Sequence, residues 1–305
     1  MIKVANVTKE FPLSRKQRKE LGDQYKMTKK ICAVDNISFE CKPGRIFGLL
    51  GPNGAGKTTT LRMIATMLKP SSGSIDVSGY DTVNQGQNVR EQIGFMTGQT
   101  ALYDRLTPTE MVKYIADLYG MKKEDFSKRK DYLFDALDMN SFSDRRISRL
   151  STGMKQKTSI ARTMIHDPSV MVFDEPTSGL DVMTSRAIID LIRDCRKEGK
   201  TVIFSSHRMG EVNQLCDDIS IIYNGKLFFN DTLDKFKSEM SKPTFEEEIL
   251  GQTAISDLNL LASDQNPFDM ESLFEPNMDV SRYEGAAQYD PVSYTHLTLP
   301  TNREV

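Results

Sequence analysis

The stretch IFGLLGPNGAGKTT, residues 46–59, decides the fold of this 305-residue chain. Its first part, Ile46 to Leu50, is a short apolar run of the kind that forms a strand buried on both faces. Its second part, Gly51 to Thr58, has the spacing G-x-x-x-x-G-K-[ST], and a helix is expected from about Lys57 to Leu68. Strand, glycine-rich loop and helix in this order are the context that the motif requires, so we predict an α/β fold with this loop at its ligand-binding edge.

The residue types in the loop suit nucleotide phosphates and a magnesium ion. Glycines let the backbone wrap closely around phosphates with its N–H groups directed inward, and the helix N-terminus favours an anion. Lys57 can neutralise β- and γ-phosphate charge, and the Thr58 hydroxyl is an oxygen ligand that Mg²⁺ prefers. The predicted phosphate-binding residues are Gly51, Pro52, Asn53, Gly54, Ala55, Gly56, Lys57, Thr58 and Thr59.

A second apolar run, Val170 to Phe173, ends in the acids Asp174 and Glu175. The carboxyl ends of parallel strands face the crevice where α/β sheets bind ligands. Asp174 is therefore placed to hold Mg²⁺, directly or through water, and Glu175 to act as general base on the attacking water. An acid pair at a strand end is weak evidence alone, but the phosphate loop in the same chain favours the catalytic interpretation over a solvated cap.

A third motif, LSTGMKQ at residues 150–156, precedes a helix predicted to run to about His166. Ser151 and the free N–H groups at such a helix start form an anion site. Because the chain already contains a phosphate loop, this second site has no evident ligand within the same chain. Taken alone, the segment is better explained as an ordinary Ser-capped helix.

With these motifs in this order, residues 1 to about 235 resemble the ABC ATPase family, whose third motif is LSGGQ-like. Ser151 and Gly153 match that form, whereas Thr152 and Met154 depart from it. The variant found here is similar to export-type members, including the sodium-extruding transporters.

The resemblance implies a fold, a ligand and an assembly. The fold is a P-loop NTPase with a mostly parallel core sheet, an antiparallel β subdomain and an α-helical subdomain at about residues 100–166. The ligands are ATP and Mg²⁺. The resemblance also implies that Ser151 and Gly153 of a second copy close over the ATP held by the first, in a two-fold dimer.

Further site residues follow from the same resemblance. His207 matches a switch histidine that contacts the γ-phosphate and orders the attacking water, so Glu175 and His207 are the predicted catalytic residues. Asp181, in the sequence SGLD, matches the loop that links the two active sites. Phe11 matches an aromatic residue that stacks on adenine, with plain packing as its alternative.

The metal ligands implied are Thr58, Asp174 and Gln99. The family glutamine that contacts Mg²⁺ is displaced in this chain, because its expected position aligns with Gly98 and Gln99 lies one residue later. Either Gln99 or another group then serves the metal. The adjoining residues Leu102 to Leu106 are interpreted as a surface for the membrane partner or, alternatively, as a packed linker.

Composition limits the remaining possibilities. Hydrophobic residues make up 38% and charged residues 27%, and the net charge of -2 gives no reason to expect nucleic acid as a partner. No apolar run approaches the roughly 18 to 20 residues of a membrane helix. We therefore expect a separate transmembrane permease, with this chain bound peripherally at the cytoplasmic face of the cell membrane. Four cysteines without a Cys-x-x-Cys pair predict reduced thiols.

Two other classes of protein share part of this pattern. A soluble, non-transport ABC ATPase would usually have two phosphate loops or a long coiled coil, and the sequence has one loop and no sustained heptads between residues 58 and 150. A small-molecule kinase with a phosphate loop would not need the 150–156 motif. We therefore predict an ATP-hydrolysing subunit that drives export, of sodium ions or drugs for example, with the soluble ABC ATPase as the alternative.

Several segments lie outside the motifs. The Lys- and Arg-rich segment 14–30 is interpreted as a solvated loop, with a membrane or partner contact as the alternative. Thr107 to Glu110 predicts a capping box at the start of the helical region. After the ATPase domain, residues 236–291 are interpreted as an acidic C-terminal extension. Residues 292–305 continue no earlier pattern and are interpreted as a non-native tail.

Overall fold

The computed structural model describes residues 1–13, 29–97 and 102–240. The predictions for Gln99, for most of the segment 14–30, for most of the C-terminal extension and for the tail therefore lie outside the described residues. The strands are β1 (Ile2–Pro12), β2 (Lys30–Cys41), β3 (Ile46–Leu50), β4 (Ser72–Val77), β5 (Tyr80–Asp81), β6 (Ile93–Thr97), β7 (Val170–Asp174), β8 (Thr201–Ser206), β9 (Asp218–Tyr223) and β10 (Lys226–Thr232). The α-helices are α1 (Lys57–Ile64), α2 (Gly86–Gln92), α3 (Pro108–Leu118), α4 (Lys123–Ala136), α5 (Thr152–Met164), α6 (Val182–Lys197), α7 (Met209–Leu215) and α8 (Leu233–Met240).

The larger sheet has the strand order β10-β9-β3-β8-β7-β6. Its neighbours from β9 to β6 are parallel, and β10 pairs antiparallel with β9. Strands β3, β7 and β8 are buried along their whole length, which explains their unbroken apolar runs. The mostly parallel core sheet predicted for this α/β fold is confirmed, and it brings the carboxyl ends of β3, β7 and β8 to one edge.

The smaller sheet is antiparallel, with the strand order β2-β1-β4-β5, as the family resemblance implies. Strand β1 extends to Pro12 and pairs with β2 on one side and β4 on the other. Phe39 of this sheet stacks on Phe47 of the larger sheet with ring centroids 5.0 Å apart. The two sheets thus share one apolar core with helix α1.

Helices α3, α4 and α5 form the helical part and pack on a second apolar core with the other face of the larger sheet. The capping box of α3 is confirmed, since Glu110 N donates to Thr107 Oγ1 at 3.2 Å and Thr107 N donates to Glu110 Oε2 at 2.8 Å. A tight turn at Asn224 and Gly225, with φ of 48° and 80°, joins β9 to β10.

Helix α1 differs from the expectation because it ends at Ile64 rather than near Leu68. Thr66 takes φ 62°, a left-handed conformation that stops the helix. The four cysteines are free thiols, with Cys32 exposed and the others buried. No helix within the described ranges is both long and apolar enough to cross a membrane.

Candidate nucleotide-binding and hydrolysis site

The glycine-rich loop joins β3 to α1 and follows a path that only glycine allows at two points. Gly51 has φ 147°, and a Cβ there would lie 2.2 Å from the carbonyl oxygen of Ile222 in β9. Gly56 has φ 110°, and a Cβ there would lie 2.6 Å from the carbonyl oxygen of Ala33 in β2. The loop therefore packs closely against both sheets with its backbone accessible on one side, as expected for a phosphate-binding loop.

Lys57, the first residue of α1, is buried under this loop with a side chain that is 5% exposed. Its Nζ donates to the carbonyl oxygens of Gly51, at 2.6 Å, and Pro52, at 3.1 Å. The same atom is 3.7 Å from Glu175 Oε1. Burial lowers the pKa of Lys57, and the neighbouring carboxylates act in the opposite direction. The ammonium group thus lies between the loop and the acids that end β7.

Asp174 is the last residue of β7 and is 6% exposed. Burial raises the pKa of its carboxyl group, and hydrogen bonds from the Ser205 and Thr58 hydroxyls oppose that shift. Ser205 Oγ donates to Asp174 Oδ1 at 2.7 Å. Because the Thr58 hydroxyl lies close enough to influence the pKa of Asp174, the structure brings together two candidate oxygen ligands that the sequence places 116 positions apart (174 − 58).

Glu175 follows in an unusual backbone conformation, with φ 49°. Its Oε1 is 3.4 Å from His207 Nδ1 and 3.7 Å from Lys57 Nζ. These partners, His207 first, hold the pKa of Glu175 below its usual value despite partial burial. The carboxylate is therefore kept ionised and able to accept a proton, beside a histidine that the sequence analysis also selected.

Ser205 is a site residue that the sequence analysis did not select. It is fully buried at the end of β8, and its Oγ donates to Asp174 and accepts from the Glu175 backbone N–H at 3.0 Å. Strand pairing places Asp174 directly opposite Ser205, which explains both contacts. The available signal was the pair of serines that ends an apolar run just before His207.

The third motif forms a separate group with the start of α6. Ser151 is the N-cap of α5 and accepts from Met154 N at 3.3 Å. Asp181 is the N-cap of α6 and accepts from Thr184 N at 2.9 Å and Thr184 Oγ1 at 2.8 Å. A Cβ built on Gly153 would lie 3.2 Å from Thr184 Oγ1, so the two helix starts touch at Gly153.

This group of helix starts faces solvent. Ser151 and Thr152 are exposed, and the two residues after Asp181 are among the most exposed apolar side chains described, with Val182 82% and Met183 76% exposed. Helix α5 is not isolated from the hydrolysis site, because Gln156 Nε2 donates to the Pro176 carbonyl at 2.9 Å. Pro176 directly follows Glu175.

Phe11 lies near the end of β1, opposite Ile31, and is half-buried. Lys9 Nζ is 5.0 Å from the centroid of its ring. The smaller sheet that carries Phe11 also supplies the Ala33 carbonyl against Gly56, so it borders the phosphate loop. The stacking role of Phe11 stays a prediction.

Few groups at the candidate site could hold a metal ion. The part of the chain that the structure describes contains no cluster of three or more His, Cys, Asp or Glu side chains suited to a metal ion. Thr58 and Asp174 supply hydroxyl and carboxylate oxygens instead. That donor set suits Mg²⁺, which usually keeps several waters and binds through one or two protein oxygens together with substrate phosphates.

Comparison with known proteins gives a consistent result. A family model described as "ABC transporter" matches residues 34–178. The ABC transporter ATP-binding protein NatA of Bacillus subtilis is 43% identical over 216 residues, which are 70% of this chain and 88% of NatA. The Nod factor export ATP-binding protein I of Ralstonia nicotianae is 34% identical over 209 residues, 68% of this chain and 63% of that protein.

Among solved structures, a dimeric ATP-binding cassette in a post-hydrolysis state, bound to ADP and Pi, matches with a TM-score of 0.66. The sequence identity is 26%, and the match covers 76% of this chain and 99% of the cassette.

Proposed function

Because this chain belongs to the ABC transporter ATP-binding family and is an ATPase subunit of that family, we propose that it drives export through a separate membrane permease. One observation carries the catalytic part of the proposal. Lys57 at the start of α1 lies beside Asp174 and Glu175 at the end of β7, and His207 after β8 contacts Glu175. The export direction is supported by similarity to NatA and to the Nod factor export protein.

ATP would bind with its phosphates in the loop formed by residues 51–58. The loop's backbone N–H groups and the N-terminus of α1 favour an anion, and Lys57 supplies a positive charge that is already desolvated. Phosphate oxygens would replace the carbonyls of Gly51 and Pro52 as partners of Lys57. Phe11 is the proposed adenine contact.

Mg²⁺ would be held by Thr58 and Asp174, with Gln99 as a further proposed ligand. When bound, the ion neutralises negative charge that develops on the phosphate oxygens. Asp174 must be ionised to serve, and the Ser205 hydroxyl helps to keep it so by donating to the carboxylate.

Glu175 is the proposed general base, and His207 is its proposed partner at the γ-phosphate. The lowered pKa of Glu175 keeps it as a carboxylate that can orient and polarise a water molecule. His207, with Nδ1 at 3.4 Å from that carboxylate, can order the same water. Positioning and charge stabilisation supply most of the rate enhancement in phosphoryl transfer.

The site would be completed by a second copy of the chain. Ser151, Gly153 and Asp181 lie together at exposed helix starts, and the start of α5 offers N–H groups to an anion. Two copies related by a two-fold axis would each cover the other's nucleotide with this surface. The dimeric state of the solved cassette supports the arrangement.

The permease would bind elsewhere, at the cytoplasmic face of the membrane. Residues Leu102 to Leu106 are the proposed contact. Their backbone is tied to the segment before the third motif, since Ile147 N donates to Leu106 O at 2.8 Å and Ser148 N donates to Asp104 O at 3.1 Å. Movement of the permease against residues Leu102 to Leu106 would therefore be transmitted to Ser151.

The substitution Glu175→Gln tests the proposal. Removing the base should lower ATP turnover by about 10²-fold or more, because general base catalysis contributes about 10²–10⁴-fold. Binding of ATP should remain, and the variant should accumulate as an ATP-dependent dimer in size-exclusion chromatography with light scattering. The matched control is Glu124→Gln, at an exposed position of α4.

Two results would contradict different parts of the proposal. Turnover at the wild-type rate in Glu175→Gln would show that Glu175 is not the base. A variant that binds Mg-ATP but stays monomeric at every protein concentration would count against the composite site.

A further inference from the structure

Glu211 joins the two segments that carry the proposed catalytic residues. It lies in the first turn of α7, and its side chain is 12% exposed. Its Oε1 accepts from Thr177 Oγ1 at 2.7 Å, and its Oε2 accepts from Ser206 Oγ at 3.0 Å. Each carboxylate oxygen is therefore bound by a different segment of the chain. We call the group formed by Thr177, Ser206 and Glu211 the polar bridge.

The polar bridge is adjacent to both catalytic residues in sequence. Thr177 lies two positions after Glu175, and Ser206 directly precedes His207. Ser206 Oγ also accepts from the backbone N–H of Arg208 at 3.0 Å, so it fixes the chain on both sides of His207. Through these contacts, Glu211 fixes the distance between the segment that carries His207 and the segment that carries Glu175.

The contact between the catalytic groups themselves is weaker than the polar bridge. His207 Nδ1 and Glu175 Oε1 are 3.4 Å apart, at the long end of hydrogen-bonding distance, and both side chains are partly exposed. A contact of that length does little to hold the imidazole ring in place. The position of the ring also depends on the backbone that carries it, which the polar bridge anchors.

The hydroxyl contacts are more important for Glu211 than its nearby cation. Arg208 NH1 is 3.5 Å from Glu211 Oε1, but the arginine side chain is 46% exposed. An ion pair of that kind is weakened by solvent. The two hydroxyl hydrogen bonds, at 2.7 and 3.0 Å to a mostly buried carboxylate, define its position.

We propose that Glu211 is a positioning residue for ATP hydrolysis, which holds His207 in register with Glu175 through Thr177 and Ser206. This inference rests on the role of His207 given under the proposed function. A catalytic group misplaced by about 1 Å can cost about 10²-fold in rate, so loss of the bridge should lower kcat while ATP binding is kept.

The test compares Glu211→Ala with Glu211→Gln in the full chain. Glu211→Ala should lower kcat about 10- to 100-fold with little change in the KM for Mg-ATP, since the bridge does not belong to the phosphate loop. Glu211→Gln should recover most of the rate, because its amide oxygen and NH₂ group can still bond both hydroxyls. Glu124→Ala is the control for a surface glutamate.

A double-mutant cycle with His207→Ala separates positioning from general stability. If Glu211 acts through His207, then Glu211→Ala should change kcat by less than about twofold when His207 is already alanine. A further 10- to 100-fold loss in that background would overturn the inference, because it would show an independent effect. An unchanged kcat in Glu211→Ala alone would overturn it as well.

The outcome for His207→Ala alone distinguishes the two proposals. If that variant keeps wild-type turnover, the catalytic role of His207 is wrong, and this inference is wrong with it. If it loses turnover while Glu211→Ala does not, only the inference is wrong. Thermal unfolding and Mg-ATP binding show whether each variant is folded. If Glu211→Ala does not fold, the same double-mutant cycle is measured with Thr177→Val and Ser206→Ala instead.

Discussion

Replacing Ser205 with alanine should damage both the stability and the chemistry of the site. The Ser205 side chain is fully buried, where it donates to the Asp174 carboxylate at 2.7 Å and accepts from the Glu175 N–H at 3.0 Å. A hydrogen bond to a charged group contributes about 1.5–3 kcal/mol, and a buried N–H left without a partner costs about 1–3 kcal/mol. Part of the second loss is relieved by local movement, so we expect Ser205→Ala to lower the free energy of unfolding by about 3 kcal/mol.

The pH dependence of activity should change with the same substitution. Burial raises the pKa of Asp174, and the Ser205 hydrogen bond opposes that shift. Without the hydroxyl, the pKa of Asp174 should rise further, so the carboxylate will be protonated at a higher pH and will no longer serve there as the proposed Mg²⁺ ligand. The acidic limb of Mg-ATP hydrolysis should therefore move to higher pH in the variant.

The effect of Asp174 on how stability changes with pH is opposite in sign to that of most carboxyl groups in proteins. Since the folded-state pKa of Asp174 lies above the ordinary value of 3.8, protonation favours the folded state. The stabilising effect of the protonated form is present below pH 3.8 and is lost as the pH rises through the folded pKa. The deficit of Ser205→Ala should accordingly be largest near neutral pH and smaller in acid.

The assay is thermal unfolding with and without Mg-ATP, together with a pH profile of hydrolysis. A loss of about 3 kcal/mol predicts a fall in Tm of about 6–12 °C for a domain of this size. The control is Ser220→Ala, another fully buried serine of the same sheet, whose Oγ donates to the neutral Asn230 Oδ1 at 2.6 Å. Equal losses of stability in the two variants, with an unchanged acidic limb, would refute the reasoning.

Three further predictions concern other parts of the fold. Gly51→Ala should abolish ATP binding and lower the free energy of unfolding by about 1–3 kcal/mol more than Gly44→Ala does. The new Cβ at position 51 would lie 2.2 Å from the Ile222 carbonyl, whereas Gly44, also at positive φ, has open space. Equal thermal stabilities of the two variants would contradict this. Thr107→Ala should lower stability by about 1 kcal/mol, measured in urea, without lowering ATPase activity, since only the cap of α3 is lost. A bulky thiol reagent should label Cys32 alone in the native protein and all four cysteines after unfolding, and mass spectrometry of the labelled peptides would expose any other pattern.

Much of the candidate site could be predicted because its residues lie in short contiguous stretches of sequence. The loop at residues 51–58, the acids at 174–175 and the helix start at 151–153 each combine a residue type with a local spacing. Such spacing constrains the backbone directly, so the strand before the loop and the caps of α3 and α5 could be inferred without tertiary information. The mostly parallel core sheet was implied by the family resemblance, and buried apolar runs such as Val170 to Phe173 suit its strands.

Other features depend on which strands are neighbours, and local sequence does not determine that. Ser205 reaches Asp174 only because β8 pairs with β7 in parallel register. Glu211 reaches Thr177, 34 positions earlier, only because α7 begins beside the segment after β7. Helix α1 ends early at Thr66, whose left-handed backbone has no signal in its own side chain.

The sequence by itself therefore determined which groups are candidates for binding phosphate, metal and water, because those groups lie in short motifs whose spacing sets their local geometry. Only the tertiary structure decided how these groups are held. The hydrogen bonds from Ser205 to Asp174 and from Thr177 to Glu211 join residues that are 31 and 34 positions apart along the chain. Their distances are fixed by the packing of the whole sheet, which no single stretch of sequence specifies.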